Sequence, residues 1–217
     1  MKYIVFIFLA VATINIHGQN TPHLNDGIIF ITEFIGGDDF LSLKDTTNDI
    51  DLADSIFVTA LKYYSGNISE ALLALTFATL PYKKLPINIL GIDIPIPLPH
   101  VGGEIYKRKN ANLPKYFFFN SPATKFGDKD KLAHFFGNAF IAYNFESSDI
   151  SSFLGAFVEL FESLFYSGGN VDNRDIMVNS LGKNFGILLK HNEHVLPSGS
   201  LKLYNLYFMK FNFSFIH

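Results

Sequence analysis

The chain has 217 residues, no cysteine, 48% hydrophobic against 17% charged residues, and a formal net charge of −3. That length suffices for one compact domain with a real core, and the composition excludes disorder, disulfides, thiolate metal sites and a cysteine nucleophile. A pI near 6.1 excludes the broad basic field that gathers nucleic acid, while 24 phenylalanines keep a membrane or lipid surface among the partners.

The first residues, "MKYIVFIFLAVATINIHGQN", place Lys2 before an apolar run from Ile4 to Ala12 and end in small and polar residues around Gly18. That order predicts a secretory signal over 1–18, cleaved near Gly18, because the run is too short for a membrane span. An uncleaved anchor is the alternative. Either way the expected location is exported, in the periplasm or attached to an envelope membrane, and an exported chain without disulfides must be held by packing.

Residues 19–80 read as an N-terminal helical region. Asn25-Asp26-Gly27 and Gly36-Gly37 punctuate a short apolar segment whose type the pattern leaves open. The acidic stretch from Asp45 to Asp54 opens a helix running to Tyr64, where carboxylates suit the positive end of the helix dipole better than they suit a calcium loop. Asn67, with Glu70 three residues on, marks an N-cap for "ISEALLALTFATL", which Pro81 stops, so two helices form a hairpin around Gly66.

Residues 81–120 change texture. Six prolines forbid long helices, "INILGIDIPIPLP" reads as an extended edge or polyproline-like segment, and "YKRKN" at 106–110 reads as a solvated basic loop, with lipid phosphate as the alternative contact. The stretch is expected to be a Pro-rich connector.

Residues 121–217 carry three helical stretches, about 130–145, 151–166 and 173–189, joined by short links that make successive helices antiparallel. The tail "LYFMKFNFSFIH" alternates, with Met209, Phe211, Phe213 and Phe215 on one face, and predicts a short C-terminal strand. The expected class is therefore mainly α, a small helical bundle with an extended connector and a C-terminal β segment.

The polar residues of this last region are out of place on apolar helices. Asp130, His134 and Asn138, four apart, share one face beside Gly137. Glu159 and Glu162 sit within "FLGAFVELFESLF", where burial without a partner is costly. Asp175 and Asn179 are again four apart, and Gly182 and Gly186 would let a neighbouring backbone approach closely. Three packed helices turning carboxylates, an imidazole and amides toward one interior site is the economical arrangement. His191 and His194 read as a solvated helix end.

"DKLAH", then "VELFES", then "VDNRDIMVNSLGKNFG" resembles the VanZ-like family and related small periplasmic proteins of unknown function, over residues 128–189 only. The resemblance carries the family's polar positions onto Asp130, Lys131, His134, Glu159, Asp172, Asp175, Asn179, Gly182 and Gly186. Two features depart from it: Arg174 lies between the paired aspartates instead of before them, and charge interrupts the apolar helices. It implies an envelope role and no defined reaction.

Three functional readings follow. In the first, Lys131, Asn138, Asp172, Asn179, Gly182 and Gly186 join the carboxylates and His134 in a structural or binding network. In the second, Asp130, His134, Glu159 and Asp175 hold a divalent metal, or His134 acts as general base, in hydrolysis of a lipid-linked or cell-wall substrate. The third is a membrane-surface, lipid-binding protein. Whether the protein is an enzyme, and its oligomeric state, are not legible in the sequence.

Overall fold

The computed structural model describes residues 22–89, 92–99, 101–145 and 173–213. Among them are eight helices: α1 Leu24–Gly36, α2 Asp38–Thr46, α3 Asp49–Tyr63, α4 Ile68–Ala78, α5 Gly103–Asn112, α6 Lys131–Asn144, α7 Asn173–His191 and α8 Pro197–Phe213. No helix of the described residues is long and apolar enough to cross a membrane.

The apolar segment of open type is α1, whose buried face repeats at Ile28, Ile31 and Ile35. Gly27, read above as punctuation, lies inside the helix, where a methyl group would stand 1.8 Å from the Tyr64 hydroxyl. Local caps then behave as their residue types dictate. Asn48 Oδ1 accepts from the Asp51 amide at 3.0 Å to start α3, and Asn67 Oδ1 accepts from the Glu70 amide at 3.2 Å to start α4. Between them the Gly66 amide donates to Leu61 O and the Ser65 amide to Lys62 O, closing the hairpin.

The Pro-rich stretch is extended where the alternation suggested, and helical where a loop was expected. Strands β1 Lys84–Ile89 and β2 Ile92–Pro97 pair antiparallel, Lys84 opposite Pro97 and Ile89 opposite Ile92. "YKRKN" is then helical, not a loop: it belongs to α5, and one of its two lysines, Lys109, is turned inward while Lys107 stays exposed. Lys109, 2% exposed, donates to Leu80 O at 2.6 Å beyond the end of α4. Lys44 likewise donates to Ala111 O and Asn112 O, supplying charge to the last carbonyls of α5.

The C-terminal tail also departs from expectation. Its alternation predicts a strand, yet the chain is helical through Phe213. Helix α8 is anchored from a distance: the Ser198 amide donates to Asp54 Oδ1 of α3 at 2.7 Å, so a half-buried carboxylate 144 residues away caps it.

One core joins the N-terminal helices to the motif-bearing ones. Phe57 of α3 packs edge-on against Phe185 of α7, with ring centroids 5.4 Å apart, and lies stacked 6.4 Å from Phe136 of α6. Phe135 stacks on Phe185 at 5.2 Å. Helices α6 and α7 run parallel, since Phe135 meets Gly182, Ala139 meets Gly186, and Lys190 near the end of α7 reaches Phe145 O at the end of α6. A methyl group at Gly182 would lie 2.2 Å from Phe135 O, and one at Gly186 2.3 Å from Ala139 O, so the two backbones touch where the sequence predicted.

Gly182→Ala and Gly186→Ala must therefore push the helices apart, and each should cost at least about 2 kcal/mol, or roughly 4–8 °C of Tm, despite alanine's better helix propensity. Gly103→Ala, with nothing within 4 Å, should change stability by less than about 0.5 kcal/mol. Thermal melts of the three variants check this. Equal tolerance at all three positions would contradict the close approach.

Candidate functional site

Parallel packing brings the N-termini of α6 and α7 to the same end of the seam, and each helix start carries an aspartate. Asp130 is the residue before α6, and Asp175 lies in the first turn of α7. The positive ends of both helices favour carboxylates there. Lys131, with only 7% of its side chain exposed, reaches both: its Nζ is 2.9 Å from Asp130 Oδ2 and 2.6 Å from Asp175 Oδ1. Burial opposes the lysine's charge, but the Asp130 and Asp175 carboxylates outweigh it and hold its pKa above the ordinary value.

One turn further in, His134 is 3% exposed. Its Nε2 lies 3.7 Å from Asp175 Oδ1 and its Nδ1 3.1 Å from Asn179 Oδ1. Asn138 completes the layer, its Nδ2 donating to His134 O and to Asn179 Oδ1, both at 2.9 Å. The backbone carbonyl of His134 can only accept, so it requires the Asn138 nitrogen on that side. The second hydrogen of that nitrogen then requires oxygen at Asn179, and that oxygen requires a donor at His134 Nδ1. Neutral His134 thus carries its proton on Nδ1 and turns the Nε2 lone pair toward Asp175.

A second ionic layer adjoins the first. Asp128, fully buried, faces Arg174 Nη1 at 3.3 Å and receives a short hydrogen bond from Ser121 Oγ, while Arg174 also donates to Asn120 O. Burial pushes the Asp128 carboxyl up, against the pull of Ser121 and Arg174. Arg174 thus has a local ionic role here. Among the described residues, three carboxylates, Asp128, Asp130 and Asp175, face two cations, Lys131 and Arg174.

No protein-family model matches the chain, and no curated protein or solved structure does. The functional reading therefore rests on the residues of the seam.

Of the positions singled out from sequence, the structure brings together Asp130, Lys131, His134, Asn138, Asp175, Asn179, Gly182 and Gly186. Glu159, Glu162 and Asp172, with the expected helix over 151–166, lie outside the described residues. His191 and His194 are exposed at the end of α7 and beyond it, away from the seam. Sequence reasoning missed Asp128, though a carboxylate two residues before Asp130 was a signal. It also missed Tyr82 after α4. Burial, then the Asp130 carboxylate, raises the pKa of the Tyr82 phenol, which places it within electrostatic reach of the cluster.

The donor set is one of metal-ligating types. One ligand atom each from Asp130, His134 and Asp175 lies within 4.8 Å of the other two. Among the described residues the same groups also form an ion-pair network, with Lys131 supplying the positive charge.

Burial lowers the His134 pKa from 6.5 to about 4, against the pull of the Asp175 and Asp130 carboxylates. The unfolded chain then takes up the proton first as the pH falls. Stability that depends on neutral His134 is complete above pH 6.5 and is lost toward pH 4, by about 3 kcal/mol at most. Urea unfolding between those limits should show a slope that His134→Gln flattens. An unchanged slope in the variant would contradict a neutral, buried imidazole.

Proposed function

We propose that this is an exported cell-envelope protein, VanZ-like in the order of its motifs, whose buried Asp/His/Asn seam acts as a structural and binding network. The signal-like first 18 residues and the motif series over 128–189 support the envelope assignment. The observation that carries the network reading is the position of Lys131, sealed between Asp130 and Asp175 with 7% of its side chain exposed. Such a group, paired on both sides and backed by Asn138 and Asn179, makes a polar interior tolerable and selects one register of the two helices.

The lipid-surface reading draws less support from the fold. Within "YKRKN", Lys109 is buried on Leu80 O and Arg108 is paired with Asp38. A hydrolytic reading would need substrate to reach His134, which is 3% exposed.

Asn179→Ala removes the acceptor shared by His134 and Asn138 and should destabilise by about 1–2 kcal/mol, since the buried His134 ring loses the acceptor at Nδ1 and half-buried Asn138 loses one of its two. Chemical denaturation of the purified mature chain reads this directly. A variant as stable as wild type would refute the network. The envelope assignment is tested separately, by fractionating expressing cells and finding the N-terminus of the exported protein by mass spectrometry; a chain that keeps residues 1–18 in the cytoplasm would refute it.

A further inference from the structure

We propose that the seam between α6 and α7 is a divalent-cation site of the Zn2+ type, with Asp130, His134 and Asp175 as its protein ligands. The inference rests on the network reading and names its ligand.

Three observations carry it. First, the three donor atoms already converge to within 4.8 Å, from two rigid helices held in register by backbone contact. Donors about 2.0–2.1 Å from a tetrahedral ion stand roughly 3.3 Å apart, so the aspartates need to close by about 1.5 Å. Both can do so by side-chain rotation, being 19% and 18% exposed at the helix starts.

Second, the imidazole is set for ligation from behind. The chain from His134 O through Asn138 Nδ2 to Asn179 Oδ1 places the ring proton on Nδ1 and the lone pair of Nε2 on the side of the aspartates. A ring N–H held by an oxygen acceptor is the usual support behind a metal-bound histidine, because it fixes both tautomer and ring orientation.

Third, the two oxygens of Asp130 are divided. Oδ2 accepts from Lys131, while Oδ1 is buried and accepts no hydrogen bond among the described residues. An ion can take Oδ1 without breaking the Lys131 contact. Lys131 then offsets one carboxylate and competes with the ion for Asp175.

That competition supplies a test. The untagged, metal-stripped full chain is given Zn2+, or Co2+ as a spectroscopic probe, and bound metal is counted by atomic emission while Tm is followed. Expected are one equivalent bound, visible Co2+ bands of a site with few ligands, and a Tm rise of roughly 5–10 °C at about a hundredfold excess over Kd. Asp130→Asn and His134→Gln should bind at least tenfold more weakly, while His191→Gln, on the exposed end of α7, should bind as wild type does. Lys131→Met should melt earlier without metal and be restored by Zn2+. No stoichiometric binding by wild type, or binding equally retained in Asp130→Asn and His134→Gln, overturns the proposal. If Lys131→Met melts earlier and Zn2+ does not restore it, the cation site falls and the network stands. If it melts as wild type does without metal, the network reading falls.

Discussion

Two carboxylates at the same end of two touching parallel helices are the constraint that the rest of the structure answers. Within 4.8 Å of one another, unscreened carboxylate oxygens would repel by at least about 3 kcal/mol at an effective dielectric constant of 20. The helix dipoles reduce that cost, and Lys131 reverses it by standing between them. Burial keeps the resulting attraction strong and makes removal of any member costly.

The polar layer and the glycine contact depend on each other. Short side chains such as Asn138 and Asn179 bridge two helices only when the backbones lie close, and the backbones lie close only because Gly182 and Gly186 leave room for the Phe135 and Ala139 carbonyls. Beside this layer the rings of Phe57, Phe135 and Phe185 pack the same helices against α3. The aromatic contacts add apolar burial to the seam, and the polar contacts select the register. Within α6, adjacent His134 and Phe135 serve one layer each.

The seam was legible where local periodicity decides. Four-residue spacing put Asp130, His134 and Asn138 on one face, Asp175 and Asn179 on another, and marked Gly182 and Gly186 as points of approach. The cap at Asn67 follows from residue type alone, whereas the cap at Asn48 was passed over within the acidic stretch. What failed was decided at a distance. Alternation of apolar residues in the tail suggested a strand, but Asp54 caps α8 from across the fold, and a short apolar run fits either period. "YKRKN" looked like a solvated loop because nothing local shows that Lys109 will find Leu80 O. Gly27 looked like a break because its reason is the Tyr64 hydroxyl, 37 positions later. The partner of Arg174, buried Asp128, was likewise not legible locally, since it lies 46 positions earlier.

The most direct test of the account is a double-mutant cycle between Lys131 and Asp175, using Lys131→Met and Asp175→Asn in chemical denaturation without metal at neutral pH. If the ammonium joins the two helices, the paired changes will be strongly non-additive, with a coupling energy above about 1.5 kcal/mol. Additivity to within about 0.5 kcal/mol would mean that the two residues act independently, and the seam would not be held by the interaction from which its register, its buried histidine and its cation site have been argued.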